Sequence, residues 1–258
     1  AGNSTMIIDE TAILNIEECA HNTMLSKTSD FGSGCSADGN LVIHESVYEK
    51  LREQLIKEGG YLLNPEEQEA VRKVMWDDNK HRLPNTVAVA PQIIAKEAGF
   101  EIPDDRKFLI AIADGIGAEY YFCREKLTTL LALHKYEGGF KNAIKMMKGI
   151  FDVGGKGHSC GIYSFNDEHI HQLALEAPVS RMMVRQPQSK ANAGSFTNGM
   201  PMTSSLGCGT WGGNATSENV HLKHYMNTTW VSKPTPLDRP SDQELFGDFY
   251  DPAMEEGF

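Results

Sequence analysis

The sequence lacks any run of the roughly 18 apolar residues that a membrane-spanning helix requires. It also lacks a signal-peptide pattern and any pair of cysteines in CxxC spacing. Its five cysteines are odd in number in a chain of 258 residues, which excludes a disulfide scaffold or a zinc ribbon and favours reduced thiols in the cytoplasm. Basic residues are in the minority, and the net charge of −11 argues against a nucleic acid or an anionic membrane as the main partner.

Strand-like and helix-like apolar patterns alternate along the chain. The predicted strands cover 4–9, 40–44, 86–90, 106–113, 161–165 and 181–186. The predicted helices cover 11–27, 91–98, 137–150 and 167–176, and two more begin at Pro65 and at Ser46, which forms a capping box with Glu49. This alternation predicts an α/β fold in which a largely parallel sheet is flanked by helices.

One cysteine, Cys35, lies in a stretch with almost no apolar neighbours, "SDFGSGCSADGN". A structural cysteine prefers apolar surroundings, whereas a nucleophilic cysteine needs a wet or electropositive site. Gly32 and Gly34 allow unusual backbone angles and a close approach by a substrate. Cys35 is therefore a candidate nucleophile, and an incidental loop cysteine is the alternative.

A second glycine-rich stretch, "GGKGHSCG", contains His158. Glycines such as Gly155 and Gly157 let a ligand approach the backbone, and a histidine moves protons near neutral pH. The alternative is a helix C-cap followed by a histidine that bonds to backbone.

Three other patterns give weaker indications of a binding site. The GxGxxG at Gly207, Gly209 and Gly212 lacks the strand–turn–helix context of a dinucleotide fingerprint. The histidines of "NDEHIHQ" and "HLKHY" lack the carboxylates or thiols of a metal site, so no metal is predicted. Arg181 and Arg185 lie on one predicted strand and form either an anion pocket or two surface charges.

Taken together, the motifs resemble those of the CoA-acylating aldehyde dehydrogenases. The resemblance covers nearly all of residues 1–232, in the family's order. It rests on "AGN", "IIDETA", "LSKTSDFGSGC", "GFEIPDD", "REKL", "GGKGH", "SFTNG" and "LGCGTWGGNATSENVHLKHYMN". The segments "GIYSFNDEHI" and "PVSRMMVRQP" are most similar to the acylating succinate-semialdehyde and sulfoacetaldehyde types.

The resemblance implies a domain organisation. Residues 1–219 would be the catalytic domain, 220–233 an arm strand that pairs with a neighbouring subunit, and 234–258 an extended tail. Family members carry an N-terminal nucleotide-binding domain before "AGN", so the chain is expected to be the C-terminal catalytic half and to be inactive alone. The resemblance also implies a homo-oligomer, a dimer or tetramer, in the cytoplasm or in a bacterial microcompartment.

Site residues follow from the same resemblance. Cys35 matches the nucleophile, and Glu125 of "REKL" matches the acid that holds the nicotinamide ribose. His158 matches the histidine near the cofactor or the CoA thiol, and its flanking glycines, Gly155 and Gly157, are expected to bind the cofactor.

Substrate-binding residues are predicted beside the sulfur, at Gly34 and Ser36. Arg185 is the candidate for an anionic substrate tail, because an arginine fork matches a carboxylate or a sulfonate. Phe31 stands where the family often has asparagine, and "SADGN" stands where it often has a Ser-Glu-Gln run, so the departures concern the choice of substrate.

The implied reaction converts a short aldehyde to its acyl-CoA with NAD or NADP, through a thioester on Cys35. Succinate semialdehyde, sulfoacetaldehyde and acetaldehyde are the candidate substrates. Two other classes stay open. One is a cysteine-dependent acyltransferase or thioester hydrolase without nicotinamide, and the other is a non-catalytic oligomerisation fragment.

Overall fold

Seven parallel strands form one sheet in the computed structural model, which describes residues 2–251 and 253. The strands are β1 (Thr5–Ile8), β2 (Asn40–His44), β3 (Gly60–Leu62), β4 (Phe108–Ile112), β5 (Leu130–Tyr136), β6 (Cys160–Tyr163) and β7 (Met182–Val184). Their order is β3-β4-β5-β2-β1-β6-β7. Helices flank the sheet, so the predicted α/β fold is confirmed.

The middle of the sheet is fixed by β1, which pairs with two strands that are distant in sequence. Thr5 lies opposite Asn40 of β2 on one side and opposite Cys160 of β6 on the other. All four residues of β1 are buried. Because both faces are covered, the strand reads as the apolar run "TMII" rather than as an alternating pattern.

Eight α-helices connect or follow the strands in the described residues. They are α1 (Ile16–Thr28), α2 (Glu45–Lys57), α3 (Pro65–Met75), α4 (Pro91–Glu97), α5 (Phe140–Gly154), α6 (Asp167–Glu176), α7 (Gln188–Ala191) and α8 (Asp242–Phe246). Short 3-10 helices cover Glu10–Asn15, Ser29–Gly32, Pro84–Thr86, Thr210–Gly212, Leu222–Tyr225 and Gly247–Phe249.

Helix starts follow the capping chemistry only in part. Asn64 and Glu67 form a reciprocal capping box before Pro65, which confirms the predicted start of α3. The predicted cap of α2 at Ser46 is wrong, because the side chain of His44 accepts the hydrogen bond from the Ser46 N–H.

The core is divided by the sheet into layers. One apolar cluster packs α1 and α2 against the strands, and its members include Met6, Leu41 and Leu51. A second cluster packs α5 and α6 on the other face, with Ile7, Met147 and Leu173 among its members.

A predicted strand at 86–90 is wrong. The carbonyl of Thr86 accepts a hydrogen bond from the Arg82 guanidinium, and the carbonyl of Val89 accepts one from the Thr129 hydroxyl. Ala88 has a left-handed backbone with a φ of 55°. Side chains therefore bond to backbone carbonyls that, in a strand, would accept hydrogen bonds from a neighbouring strand. Conversely, β5 carries a full ladder although no strand was predicted there.

A second compact unit begins at Lys223, after the unit that ends at Leu222. It contains α8, whose first turn has a capping box between Ser241 and Glu244. The arm strand at 220–233 stays a prediction, as does the tail at 234–258, of which residues 252 and 254–258 lie outside the described residues. Within the part of the chain described here, no helix combines the length and the apolar character needed to cross a bilayer.

The central strand provides a test of the core. Leu41 is fully buried in β2, so Leu41→Ala is expected to lower the free energy of unfolding by about 2–5 kcal/mol, from lost burial and a cavity. Urea unfolding followed by circular dichroism measures the loss. The matched control is Leu175→Ala on α6, where the side chain is 75% exposed, with an expected change within about 0.5 kcal/mol. Equal losses in the two variants would contradict the assigned burial.

Candidate active site

Three predicted site residues lie at one edge of the sheet, because each lies ahead of a strand. Cys35 comes before β2, Glu125 before β5 and His158 before β6. All strand pairs are parallel, so the amino ends of the strands share one edge. The site therefore lies at the amino edge, whereas open α/β sheets generally bind ligands at the carboxyl edge.

The loop that carries Cys35 has an unusual backbone. Asp30, Phe31 and Gly32 follow one another with φ of 47°, 52° and 68°, all in the left-handed region. A non-glycine residue there costs about 1–2 kcal/mol, and asparagine bears this more easily than phenylalanine. Gly32 thus adopts the unusual backbone angle that glycine allows, whereas Gly34 does not have a positive φ.

Cys35 and His158 are in direct contact although 123 residues separate them. The sulfur lies 2.9 Å from His158 Nε2, and His158 Nδ1 lies 2.8 Å from the Ser159 hydroxyl. Cys35 is exposed, whereas His158 is 4% exposed. A buried imidazole thus contacts a sulfur that ligands can reach, which is the arrangement of a nucleophile with its proton acceptor.

The surroundings keep this pair uncharged at neutral pH. Burial raises the pKa of the Cys35 thiol, and the negative charge of Glu125 raises it further. Burial and the nearby Arg181 lower the pKa of His158 to about 4. In the neutral pair, the tautomer with its proton on Nδ1 lets the thiol donate to Nε2 while the Nδ1–H donates to Ser159. An ion pair forms only when a reaction moves the proton.

Glu125 lies next to Cys35 and is held by the backbone. Its Oε1 accepts a hydrogen bond of 2.9 Å from the N–H of Gly2. A Cβ on Gly2 would come within 2.5 Å of the Cα of Cys35, so only glycine fits between the carboxylate and the cysteine. The site thus depends on a glycine of the "AGN" motif that sequence reasoning had not assigned to it.

The glycines around His158 have structural uses in the described chain. Gly155 caps the end of α5, with its N–H bonded to the Phe151 carbonyl. Gly157 has a φ of 102°, and a Cβ there would come within 2.6 Å of the Cys208 carbonyl oxygen. Their predicted role in binding a cofactor stays a prediction, and these contacts explain the glycines without one.

Gly34 and Ser36 flank the sulfur in two different environments. A Cβ on Gly34 would meet nothing within 4 Å, so the sulfur is open on that side. Ser36 is buried beneath the loop. A cavity of about 10 Å³, room for a single water, is lined by Gly34, Cys35 and Glu125.

The two candidate arginines lie at opposite edges of the sheet. Arg181 precedes β7 and donates a hydrogen bond of 3.0 Å to the His158 carbonyl. Arg185 follows β7, donates to the Ser164 carbonyl and lies over the Phe165 ring. This placement gives no support to the prediction that Arg185 binds the substrate, since it puts the guanidinium at the carboxyl edge.

Other groups with ligand-like features lie away from the cysteine or are satisfied internally. Asp9, Glu10 and His169 have metal-like spacing at the carboxyl edge, but the Asp9 carboxylate accepts hydrogen bonds from neighbouring side chains. In the GxGxxG segment, the N–H groups of Gly209 and Gly212 donate to loop carbonyls. This segment is not the turn of a nucleotide fold.

Sequence reasoning missed some residues of the site. Lys27 and Lys126 are buried beside the loop that carries Cys35, where burial lowers the pKa of each ammonium group, to about 7 for Lys27. Cys208 lies near enough to act electrostatically on Cys35. A lysine beside a glycine-rich cysteine loop was the available signal for Lys27, whereas no sequence pattern indicates the proximity of Cys208.

Comparisons with known proteins agree with the fold. No protein-family model matches the sequence. A sulfoacetaldehyde dehydrogenase of Acholeplasma sp. is 37% identical over 252 residues, which are 96% of this chain and 51% of that protein. An acetylating succinate-semialdehyde dehydrogenase of Clostridium kluyveri is 31% identical over 95% of this chain and 54% of its own.

The crystal structure of an acetylating aldehyde dehydrogenase from Geobacillus thermoglucosidasius is similar in fold over most of this chain. It has a TM-score of 0.84 and 32% identity, and the match covers 92% of this chain and 52% of that one. The chain therefore spans about half the length of the curated relatives it matches.

Glu125→Gln tests the electrostatics of the site. The amide keeps an oxygen for the Gly2 N–H but removes the charge that raises the pKa of Cys35, so the thiol ionises at lower pH. Alkylation of Cys35 by iodoacetamide at pH 8 is expected to become about two- to tenfold faster. Peptide mass spectrometry resolves Cys35 from the other cysteines.

The control for this test is Glu101→Gln, which replaces an exposed carboxylate distant from Cys35 in the sequence and outside the lining of its cavity. It is expected to leave the rate as in the unmodified protein. An unchanged or slower rate for Glu125→Gln would show that its carboxylate does not act on the sulfur.

Proposed function

Because the chain is a homologue of the acylating aldehyde dehydrogenases, we propose that the protein converts an aldehyde to its acyl-CoA by way of a thioester on Cys35. The observation that carries the proposal is the 2.9 Å contact between Cys35 Sγ and His158 Nε2 at the open edge of the sheet. The reaction needs a thiol that can reach a carbonyl and a base that can take its proton, and this pair supplies both.

Attack on the aldehyde is coupled to a proton transfer. As Cys35 Sγ bonds to the carbonyl carbon, its S–H proton passes to His158 Nε2 and the carbonyl π electrons move onto the oxygen, so that the alkoxide of a thiohemiacetal forms. The transfer cannot run ahead of the attack, because the pKa of the thiol is raised and that of the imidazole is lowered. His158 releases the proton to solvent readily afterwards, since its pKa of about 4 disfavours the imidazolium at neutral pH.

A bound NAD or NADP would supply the one step that the side chains do not, because it would accept a hydride from the thiohemiacetal carbon and so leave an acyl group on Cys35. Glu125 fits the role of holding the ribose, because its carboxylate lies in the lining of the same cavity as Cys35 and can accept hydrogen bonds from hydroxyl groups. His158 is then neutral again and is ready for the second half of the reaction.

In the transfer to CoA, the CoA thiol is the attacking group and Cys35 is the leaving group. The CoA thiol bonds to the acyl carbon while its proton passes to His158, and Cys35 leaves as a thiolate. His158 returns that proton to the sulfur, which restores the neutral starting pair. No net proton remains on the protein after the transfer, so one histidine serves both steps.

The aldehyde is proposed to be sulfoacetaldehyde or succinate semialdehyde, with acetaldehyde as the uncharged alternative. The first two carry an anion, but Arg181 is buried with both terminal nitrogens bonded to backbone carbonyls, and Arg185 lies at the carboxyl edge, away from Cys35. The substrate anion is therefore proposed to meet other groups at the amino edge. A homo-oligomer, an arm strand and a cytoplasmic or microcompartment location stay predictions.

Substitution of the pair tests the proposal in the full-length protein. Cys35→Ala is expected to abolish CoA-dependent NAD(P)H formation, and His158→Asn is expected to lower kcat by about 10²- to 10⁴-fold. Absorbance at 340 nm and chromatography of acyl-CoA measure the two products, with each candidate aldehyde assayed in turn. Cys19→Ala removes a buried thiol of the α1 layer and is the control for loss of a cysteine.

Activity that survives in Cys35→Ala would overturn the assigned nucleophile. Thioester hydrolysis or acyl transfer that proceeds without nicotinamide would replace the dehydrogenase with a different class of cysteine enzyme. Full-length protein without any of these activities would favour a non-catalytic role.

A further inference from the structure

Arg181 is a buried arginine whose acceptors are backbone carbonyls. It is 5% exposed. One terminal nitrogen donates to the His158 carbonyl at 3.0 Å and to the Gly207 carbonyl at 2.7 Å, and the other donates to the Ser217 carbonyl at 3.4 Å. One guanidinium thereby ties the segment that carries His158 to the glycine-rich loop at 207–217.

The backbone of Arg181 holds the same segment from the other side. Its carbonyl accepts a hydrogen bond of 3.0 Å from the Cys160 N–H, two residues after His158. The neighbouring residue, Ser180, donates its N–H to the Gly157 carbonyl at 2.9 Å. His158 is thus flanked by backbone bonds before and after it, while the Arg181 side chain bonds to its own carbonyl. These bonds fix the backbone that carries the imidazole at the position from which it contacts Cys35.

The guanidinium of Arg181 bonds to the carbonyl of His158, the residue whose ring contacts Cys35, so its charge lies close to the thiols of the site. Cys35 approaches from the loop before β2, and Cys208 from the loop after β7, and both thiols act electrostatically on the guanidinium. Arg181 in turn lowers the pKa of Cys35, in opposition to burial and to Glu125, and it contributes to the lowered pKa of His158. A cation in this place favours the thiolate that leaves when the acyl group passes to CoA.

We propose that Arg181 is a positioning residue that holds His158 against Cys35 and keeps a fixed positive charge beside the sulfur. This inference rests on the function proposed above. The hydrogen bonds supply the first role and require the planar fork of arginine. The charge supplies the second role, for which a lysine suffices.

Two variants separate the roles from a merely structural one. Arg181→Met removes both fork and charge, so the pH profile of Cys35 alkylation is expected to shift to higher pH, with a rate at pH 8 about three- to tenfold lower. Arg181→Lys keeps the charge and loses the fork. Its alkylation profile is expected to stay within about twofold of the unmodified protein, while kcat falls about tenfold or more with little change in KM.

The matched control is Arg106→Met. Its guanidinium also bonds to backbone carbonyls, those of Ile56 and Gly60, but it precedes β4, near the far end of the sheet. It is expected to lower stability without moving the Cys35 profile. Urea unfolding of the full-length variants identifies conditions under which each protein is folded, and all other measurements are made under those conditions.

A Cys35 profile in Arg181→Met that equals that of the unmodified protein would overturn the role of the charge. If Arg181→Met does not fold, Arg181→Lys decides, and an unchanged kcat there would overturn the positioning role. The alkylation profile needs neither aldehyde nor CoA. It therefore tests Arg181 even if the full-length protein proves to lack the proposed activity, and that failure would be visible separately in the product assays.

Discussion

Parallel pairing on both sides of β1 is the constraint on which the site depends. Because β2 and β6 both run parallel to β1, the segments that enter them arrive at the same edge of the sheet. One segment brings Cys35 and the other brings His158, and the register brings the sulfur and the ring nitrogen into hydrogen-bonding distance. No local interaction could join two residues so distant along the chain.

The neutral state of the pair follows from the same placement. The imidazole is buried beneath the edge, while the thiol is at the surface between a carboxylate and a buried guanidinium. Burial and Glu125 oppose ionisation of the sulfur, and Arg181 favours it. Burial and the carboxylate keep the thiol protonated at rest, while the cation stays in place to favour the thiolate once the proton leaves.

Much of the fold could be predicted from the sequence, because buried strands such as β2 and β4 are apolar runs between turn residues. The failures have physical causes. The segment "TVAVA" has the composition of a strand, but Arg82 and the threonines after Leu127 bond to its carbonyls. The segment of β5 is rich in leucine, which favours helices as much as strands, so its place in the ladder was set by its neighbours.

The candidate site was predictable residue by residue but not as an arrangement. Composition marks Cys35, and glycine spacing marks His158. The arginines show the limit of this reasoning. Arg181 and Arg185 share a face in a strand pattern, yet residues four apart in a strand are about 13 Å apart along it, so they reach opposite edges. Hydrophobic periodicity predicts on which face of the sheet a residue lies. The edge of the sheet at which it lies depends on where the strand begins and ends.

The protonated state of Cys35 also affects how fast its sulfur is oxidised. Peroxides attack the thiolate far faster than the thiol, and an exposed cysteine meets them first. The residue is exposed, but its sulfur is partly desolvated by the atoms around it. Because this desolvation and the charge of Glu125 raise the pKa of the thiol, most molecules present the slow-reacting thiol form in neutral solution. The features that keep Cys35 protonated in neutral solution therefore also slow the conversion of its sulfur to sulfenic acid.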